Sequence, residues 1–378
     1  KESGCFAGRV KRGDHVTLLE VVGPDHDRPL PICHRCPVRA VDRFAATHPG
    51  DGAGLREVLP GCVAGLFAFD DQQRIQHARA GAAMRATGTT RCLPTLITDT
   101  ADATAQVIAA GIKAAQRNTP GFLGLHLEGP HLDPRRKGAH DAALIRPLRD
   151  ADLSLLLHAA KNLPALMVTV APESVTLDQI GTMAAAGIVV SLGHTDCTAE
   201  EAQSAMQAGA RCATHLFNAM SQMANRAPGL VGAVLDGDGH AGLIADAIHV
   251  DPVTLRVALA AKATGLFLVS DCMALAGTDR TEFHLGGRRI LRSQGRLTLE
   301  DGTLAGADLT LPRAVQVLAQ DVGIAEERAL AMASSIPAAV IGRGDLGHLR
   351  PGARADMVHL SPDWALQGVW RGGTAVWR

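Results

Sequence analysis

The sequence predicts a closed (β/α)8 barrel joined to a small β domain, and three observations carry that expectation. Between residues 63 and 271, about eight short, nearly continuous apolar runs alternate with helical patterns, as the strands of a parallel sheet covered on both faces do. Polar residues finish most of those runs: Thr98, Glu128, Glu173, His194, His215, Asp246 and Asp271. Beyond Asp271 the alternation stops, and short strands with turn residues follow. A doubly wound open sheet is the alternative, but a barrel gathers all of these strand ends at one mouth.

Taken in order, residues 1–75 scatter Pro, Arg, Asp and Gly without period, and only 16–22 and 63–69 read as strands. From Arg79 the pattern is regular. RAGAAMRATGTT reads as a helix ending near Gly88, CLPTLIT (92–98) as a buried strand despite Pro94, and 99–115 as an Ala-rich helix. Strand GLHLEG (124–129), helix 147–161 and strand LMVTVAPE (166–173) come next. Thr176 with Gln179 then forms a capping box opening a helix to Ala186.

The most informative stretch is 188–220. Ile188 begins a β-branched run stopped by Gly193 and His194, Thr198 with Glu201 caps a helix that closes at Gly209, and a second run from Cys212 delivers His215. GLIADAIH (242–249), a helix opened by Asp251 and Pro252, and LFLVSD (266–271) complete the alternation. Residues 283–299 read as a β-ribbon turning at Gly286-Gly287, and 311–319 and 326–341 as helices. The domain plan is an atypical segment 1–58, a barrel over 59–345 and a small β domain over 346–378 that the N-terminal segment completes.

Composition bounds the partners. The 378 residues carry 37 basic and 38 acidic side chains, a formal net charge of -1, so no global field attracts nucleic acid or an anionic membrane. An anionic substrate must be held locally. No apolar run reaches the roughly 18 residues of a membrane span, and the opening KESGCFAGRVKRGD lacks a signal-peptide core, which predicts a cytoplasmic protein. Of eight cysteines, Cys92, Cys197, Cys212 and Cys272 lie in or beside predicted strands of a large core, so reduced thiols are expected. Cys33 and Cys36 have CxxC spacing but no second pair, and a structural zinc is not predicted there.

His194 and His215 end consecutive strands and therefore share one rim, and Glu128 occupies the equivalent place on an earlier strand. A carboxylate and two imidazoles leave a fourth position open, the pattern of a catalytic rather than a structural divalent-metal site. Zn2+ suits this set best, with Fe2+ next in ligand preference. Asp271 closes LFLVSD and would face that metal, where a carboxylate can take a proton from water and hand it to a leaving group. His140, twelve residues after Glu128, can fold back over the site.

The segments HLEGPHLDPRRKGAHD, SLGHTDCT, ATHLFNAM, PGLVGAVLD, IADAIHVD, LVSDCMALAG and GTLAGADLTL resemble, in order and spacing, the N-acetylglucosamine-6-phosphate deacetylases of the amidohydrolase superfamily. HLEGP with THLFNAM is specific to that family, whereas the terminal GxxxPGxxAD (347–356) is shared more widely. The resemblance implies a TIM-type barrel with a small β-sandwich domain built from the chain termini, a homodimer, and hydrolysis of the acetamide of a phosphorylated amino sugar. It assigns Glu128, His194 and His215 to the metal, Asp271 to general base and acid, and His140 to polarising the amide carbonyl. Asn218, Ala219, Arg226 and His249 match the group that holds the phosphorylated sugar, with His140 beside them. Arg226 offers a planar fork suited to phosphate.

One stretch departs from the family. Its first barrel strand reads like LPGFIDxQxNG or LPGxxDxHxHG, whereas Leu59-Pro60-Gly61 here runs into CVAGLFAFD without the acid or the polar pair. Two other readings follow: a protein that binds amino-sugar phosphates without turning them over, and an amidohydrolase of another acylated amine.

Overall fold

The computed structural model describes residues 58–60, 66–68 and 86–377. Its first strand, β1 (Val58–Pro60), belongs to the small domain, and the next eight form one parallel sheet in chain order. These are β2 (Leu66–Ala68), β3 (Leu93–Ile97), β4 (Leu125–Glu128), β5 (Leu166–Val170), β6 (Val189–Leu192), β7 (Cys212–Ala213), β8 (His240–Leu243) and β9 (Leu266–Leu268). Strand order without a switch point is the barrel arrangement that the alternation predicts. The expected strand at 16–22, the Cys33/Cys36 pair and most of the helix at 79–88 lie outside the described residues.

Burial explains why these strands read as unbroken apolar runs. Leu125 and Leu127 of β4 are 3% and 2% exposed, each such burial contributing roughly 1.5–3 kcal/mol. A side chain on Gly111 of helix Ala101–Gln116 would strike Leu125, so Leu125 faces the helix layer. Alternation then turns His126 and Glu128 inward. His126 joins Thr95 of β3 at 3.0 Å and Thr169 of β5 at 2.7 Å, and Thr169 and Ser191 both meet Thr214 at 2.7 Å. Hydroxyls and one imidazole thus form a satisfied polar layer below the rim.

Both capping boxes are realised. Thr176 Oγ1 accepts from Gln179 N and Thr198 Oγ1 from Glu201 N, and the two helices run Leu177–Ala185 and Ala199–Gln207. Each cap contributes on the order of 1 kcal/mol. Helix Gly229–Asp236 was not legible, because residues 229–234 are all buried and an apolar segment without period has no helical signature. The expected single helix at 326–341 is two, Glu326–Ala333 and Ser335–Val340. Ser334 (φ -134°, ψ -82°) breaks it, three residues ahead of Pro337, which has no N–H to continue the ladder.

Between β9 and those helices the expected ribbon is a four-stranded antiparallel sheet: β10 (Glu282–Leu285), β11 (Arg288–Ser293), β12 (Arg296–Leu299) and β13 (Leu304–Ala307). The small domain pairs β1 with β14 (Met357–Leu360), followed by β15 (Leu366–Arg371) and β16 (Thr374–Trp377). Leu59 and Pro60 pair with Val358 and Met357, so the first described barrel strand is β2. Asp356 ties this domain to the barrel base through a buried ion pair with Arg91, and Gly372 N within the small domain donates to it at 2.8 Å. Arg371 Nε donates to Thr90 O at 2.7 Å beside it. No helix among the described residues is long and apolar enough to cross a membrane.

Candidate active site

Glu128 is the last residue of β4, and His194 and His215 each stand two residues beyond β6 and β7. The backbone turns left-handed at both histidines, with φ 49° and 29°, and again at Asp271 after β9, with φ 45°. Such conformations cost about 1–3 kcal/mol each in residues other than glycine, and here they turn the chain at the rim just where the polar side chains stand. His194 Nε2 and His215 Nε2 approach Glu128 Oε1 at 3.2 and 3.0 Å, and the three groups' ligand atoms all lie within 4.8 Å of one another. All three residues are buried.

The proton on His194 is directed away from this centre. Its Nδ1–H donates to the Arg136 carbonyl at 2.8 Å, which turns Nε2 towards Glu128. Arg136 is in turn held on Asp196 at 2.8 and 2.6 Å, and Asp196 N and Thr195 Oγ1 donate to Glu173 at 2.9 and 2.6 Å. Gly138 lies on the same loop at φ 53°, and a Cβ there would come within 3.3 Å of His194 Cε1. His215 has no comparable backing among the described residues, since its Nδ1 is buried without a partner.

Charge follows from this packing. Burial pushes the Glu128 carboxyl up, but the hydrogen bonds and charges of His194 and His215 outweigh it and hold it well below the usual carboxylate range. Burial pulls the His215 imidazole down, and the bond to Glu128 more than reverses that, raising it to about 9. Burial lifts Asp271 to about 6, with His215 pulling it down and Glu128 pushing it up. Burial and the neighbouring His194 keep His140 neutral, well below the ordinary histidine value. An anionic carboxylate and two imidazoles aimed at one point fit a divalent cation, which would take the place of the protons they share.

These groups line one cavity of about 380 Å³, the size of a small-molecule site. His140 and Asp271 line it with Glu128, His194 and His215, and so do Asn218, Ala219 and His249. His249 is fixed by Asp246, whose Oδ2 lies 2.6 Å from its Nδ1. Arg226 is not brought in: it is exposed on the segment after Asn218 and does not line the cavity. That segment is anchored through Ser221 Oγ to Cys197 O at 2.6 Å and turns back at Ala224 N to Ala227 O. Thr303, Leu304 and Gly306, from β13 and the turn before it, also line the cavity and had no signal in the sequence beyond the GTLAGADLTL motif. A lower cavity of about 40 Å³, between residues such as Leu93, Phe267 and Val340, is apolar and too small for a sugar.

A parallel barrel with a convergent carboxylate and two imidazoles at its mouth, facing a further carboxylate across a cavity, is an arrangement that metal-dependent hydrolases use. The model of the amidohydrolase family matches residues 55–376. An N-acetylgalactosamine-6-phosphate deacetylase from Shewanella sp. is 37% identical over 298 residues, 78% of this chain and 75% of that protein. An N-acetylglucosamine-6-phosphate deacetylase from Haemophilus influenzae is 32% identical over 319 residues, 82% of each. The crystal structure of the N-acetylglucosamine-6-phosphate deacetylase from Pasteurella multocida superposes with a TM-score of 0.82 at 31% identity, covering 86% of this chain and 87% of that one. The chain belongs to the amidohydrolase family.

Proposed function

We propose that this chain is a metal-dependent deacetylase that hydrolyses N-acetylglucosamine 6-phosphate to glucosamine 6-phosphate and acetate. The convergence of Glu128, His194 and His215 beside Asp271 and His140 in a sugar-sized cavity carries this reading. Glu128, His194 and His215 would hold a divalent cation, Zn2+ on ligand preference, which when bound would supply Lewis-acid polarisation. Asp271, ionised, accepts a proton from the attacking water as the water oxygen bonds to the acetamide carbon. His140 donates a hydrogen bond to the carbonyl oxygen that gains charge. Asp271 then gives its proton to the amide nitrogen, the C–N bond breaks, and acetate and the free amine leave.

Asn218, Ala219 and His249 hold the phosphorylated sugar in this reading, and their place in the cavity lining supports it. What supports Arg226 as a phosphate ligand is its motif alone. A homodimer in the cytoplasm completes the proposal, on the strength of the family resemblance. The Shewanella relative favours a second reading in which the substrate is the galactosamine epimer.

Acetate release from both 6-phosphates and from unphosphorylated N-acetylglucosamine, with metal content on the same preparation, tests all of this. Turnover of a 6-phosphate by metal-loaded protein, far above that of the free sugar, is expected. Metal binding and sugar-phosphate binding without turnover would replace the enzyme with a binding protein.

A further inference from the structure

Two imidazoles face each other at the rim, those of His140 and His194, with ring centroids 4.3 Å apart and planes at 62°. The backbone gives them opposite partners. His194 Nδ1 meets a carbonyl, that of Arg136, which can only accept. His140 Nδ1 meets the backbone N–H of Thr98 at 3.3 Å, which can only donate, and Thr98 Oγ1 at 2.8 Å. A backbone group cannot change role, so the two rings carry their protons on different atoms: Nδ1 in His194 and Nε2 in His140.

We infer that Thr98 is a positioning residue for the hydrolysis, holding His140 as the Nε2–H tautomer whose proton is directed at the substrate carbonyl. This rests on the reading of His140 as the group that polarises the amide. Nε2 of His140 makes no hydrogen bond among the described residues, and the ring lines the cavity, so that proton is left for a ligand.

The competing arrangement has His140 Nδ1–H donate to Thr98 Oγ1 while that hydroxyl donates to Glu128 O at 3.4 Å. It would set two N–H groups against each other at 3.3 Å. It would also leave the Thr98 amide, in a residue 6% exposed, without an acceptor. The shorter of the two hydroxyl contacts is the one to the ring, which agrees with the first arrangement.

Thr98 ends the predicted strand run and adjoins β3, whose Ile97 is in register with Glu128 of β4. The ligand that carries charge and the ring that donates are therefore referred to the same pair of strands. A catalytic proton donor on a loop needs such an anchor, because loop backbone alone holds a ring loosely.

The test is the nitrogen spectrum of the Zn2+-loaded protein labelled with 15N-histidine, His140 being assigned from the signals absent in His140→Asn. A bare, acceptor-type Nδ1 and a protonated Nε2 are expected for His140, with the reverse for His194. Thr98→Val deletes the hydroxyl donor and keeps the amide, and is expected to lower kcat about tenfold, the low end for outer partners of a site residue, with KM nearly unchanged. The His140 Nδ1 signal should move in Thr98→Val as that nitrogen loses the hydroxyl donor and keeps only the amide, and Thr98→Ser should restore both signal and rate. A proton on Nδ1 of His140 in the unaltered protein overturns the proposal whatever the activity. So does an unchanged kcat in Thr98→Val, or a Thr98→Ser as impaired as Thr98→Val. The expected spectrum in a protein that turns over no amino-sugar phosphate would instead overturn the reading of function, while still supporting this placement of the proton.

Discussion

At the C-terminal ends of the strands, His194, His215 and Asp271 hold backbone angles that glycine would adopt more cheaply, and their side chains crowd carboxylates and imidazoles together. At the N-terminal ends, Arg91 and Asp356 form one buried, hydrogen-bonded ion pair, and Arg371 and Gly372 donate around it. The rim accepts strain and like-charge crowding that lower stability but aim polar groups at one centre. The described residues of the base pair their buried charges with each other and fasten the small domain. The two ends therefore predict different consequences of the same kind of change: loss of function without unfolding at the rim, and loss of stability without altered chemistry at the base.

The hardest test of that contrast is removal of a ligand. His194→Ala or His215→Ala should weaken metal binding by more than the roughly 10–100-fold that an outer partner is worth and abolish turnover, while the protein stays folded. Metal analysis and circular dichroism on each variant check this, and full occupancy in both would remove the residues from the metal. Asp271→Asn keeps shape but cannot take up a proton. It should cost on the order of 10²–10⁴ in kcat with metal and substrate still bound. Near-normal turnover excludes Asp271 from the proton transfers; lost metal would make it a ligand.

At the base, Asp356→Ala leaves the Arg91 charge buried without its partner, which typically costs about 3–5 kcal/mol. Urea unfolding should report that loss while kcat per folded molecule is unchanged, and a fall in kcat would mean that the base is coupled to the chemistry. The smallest effect expected is at Ala247, exposed beside the rim at φ 61°. Glycine there relieves a left-handed penalty of roughly 1–2 kcal/mol against its own entropy cost of about 0.5–1, so Ala247→Gly should gain up to about 1.5 kcal/mol. A destabilised Ala247→Gly would show that the methyl packs rather than strains.

Much of the rim was legible because its signals are local. Each strand that supplies a ligand is a short apolar run ended by the ligand or by a glycine and the ligand, and the capping boxes at Thr176 and Thr198 mark where the next helices begin. What the sequence hid is long-range. Thr98 meets His140 across 42 positions, and Arg136 meets His194 across 58, so neither partner has a spacing to read. Helix Gly229–Asp236 was hidden for the opposite reason, being buried all round and without a periodic face. Arg226, which the motif reads as a phosphate ligand, is exposed and stands outside the cavity lining of its own chain.

The parallel ladder that joins β4, β5, β6 and β7 also determines how far apart the candidate ligands stand. Glu128 pairs with Thr169, Thr169 with Ser191, and Ser191 with Cys212, so the distances between carboxylate and imidazoles follow from the spacing of about 4.8 Å between neighbouring strands. A candidate chelating group whose spacing is set by main-chain hydrogen bonds is assembled by the fold itself. Loading should then release protons and heat but order little chain, unlike a zinc finger, where the ion is what folds the peptide. Metal exchange in this protein becomes a matter of ligand chemistry and access through the cavity, and a chelated sample should regain its ion without refolding.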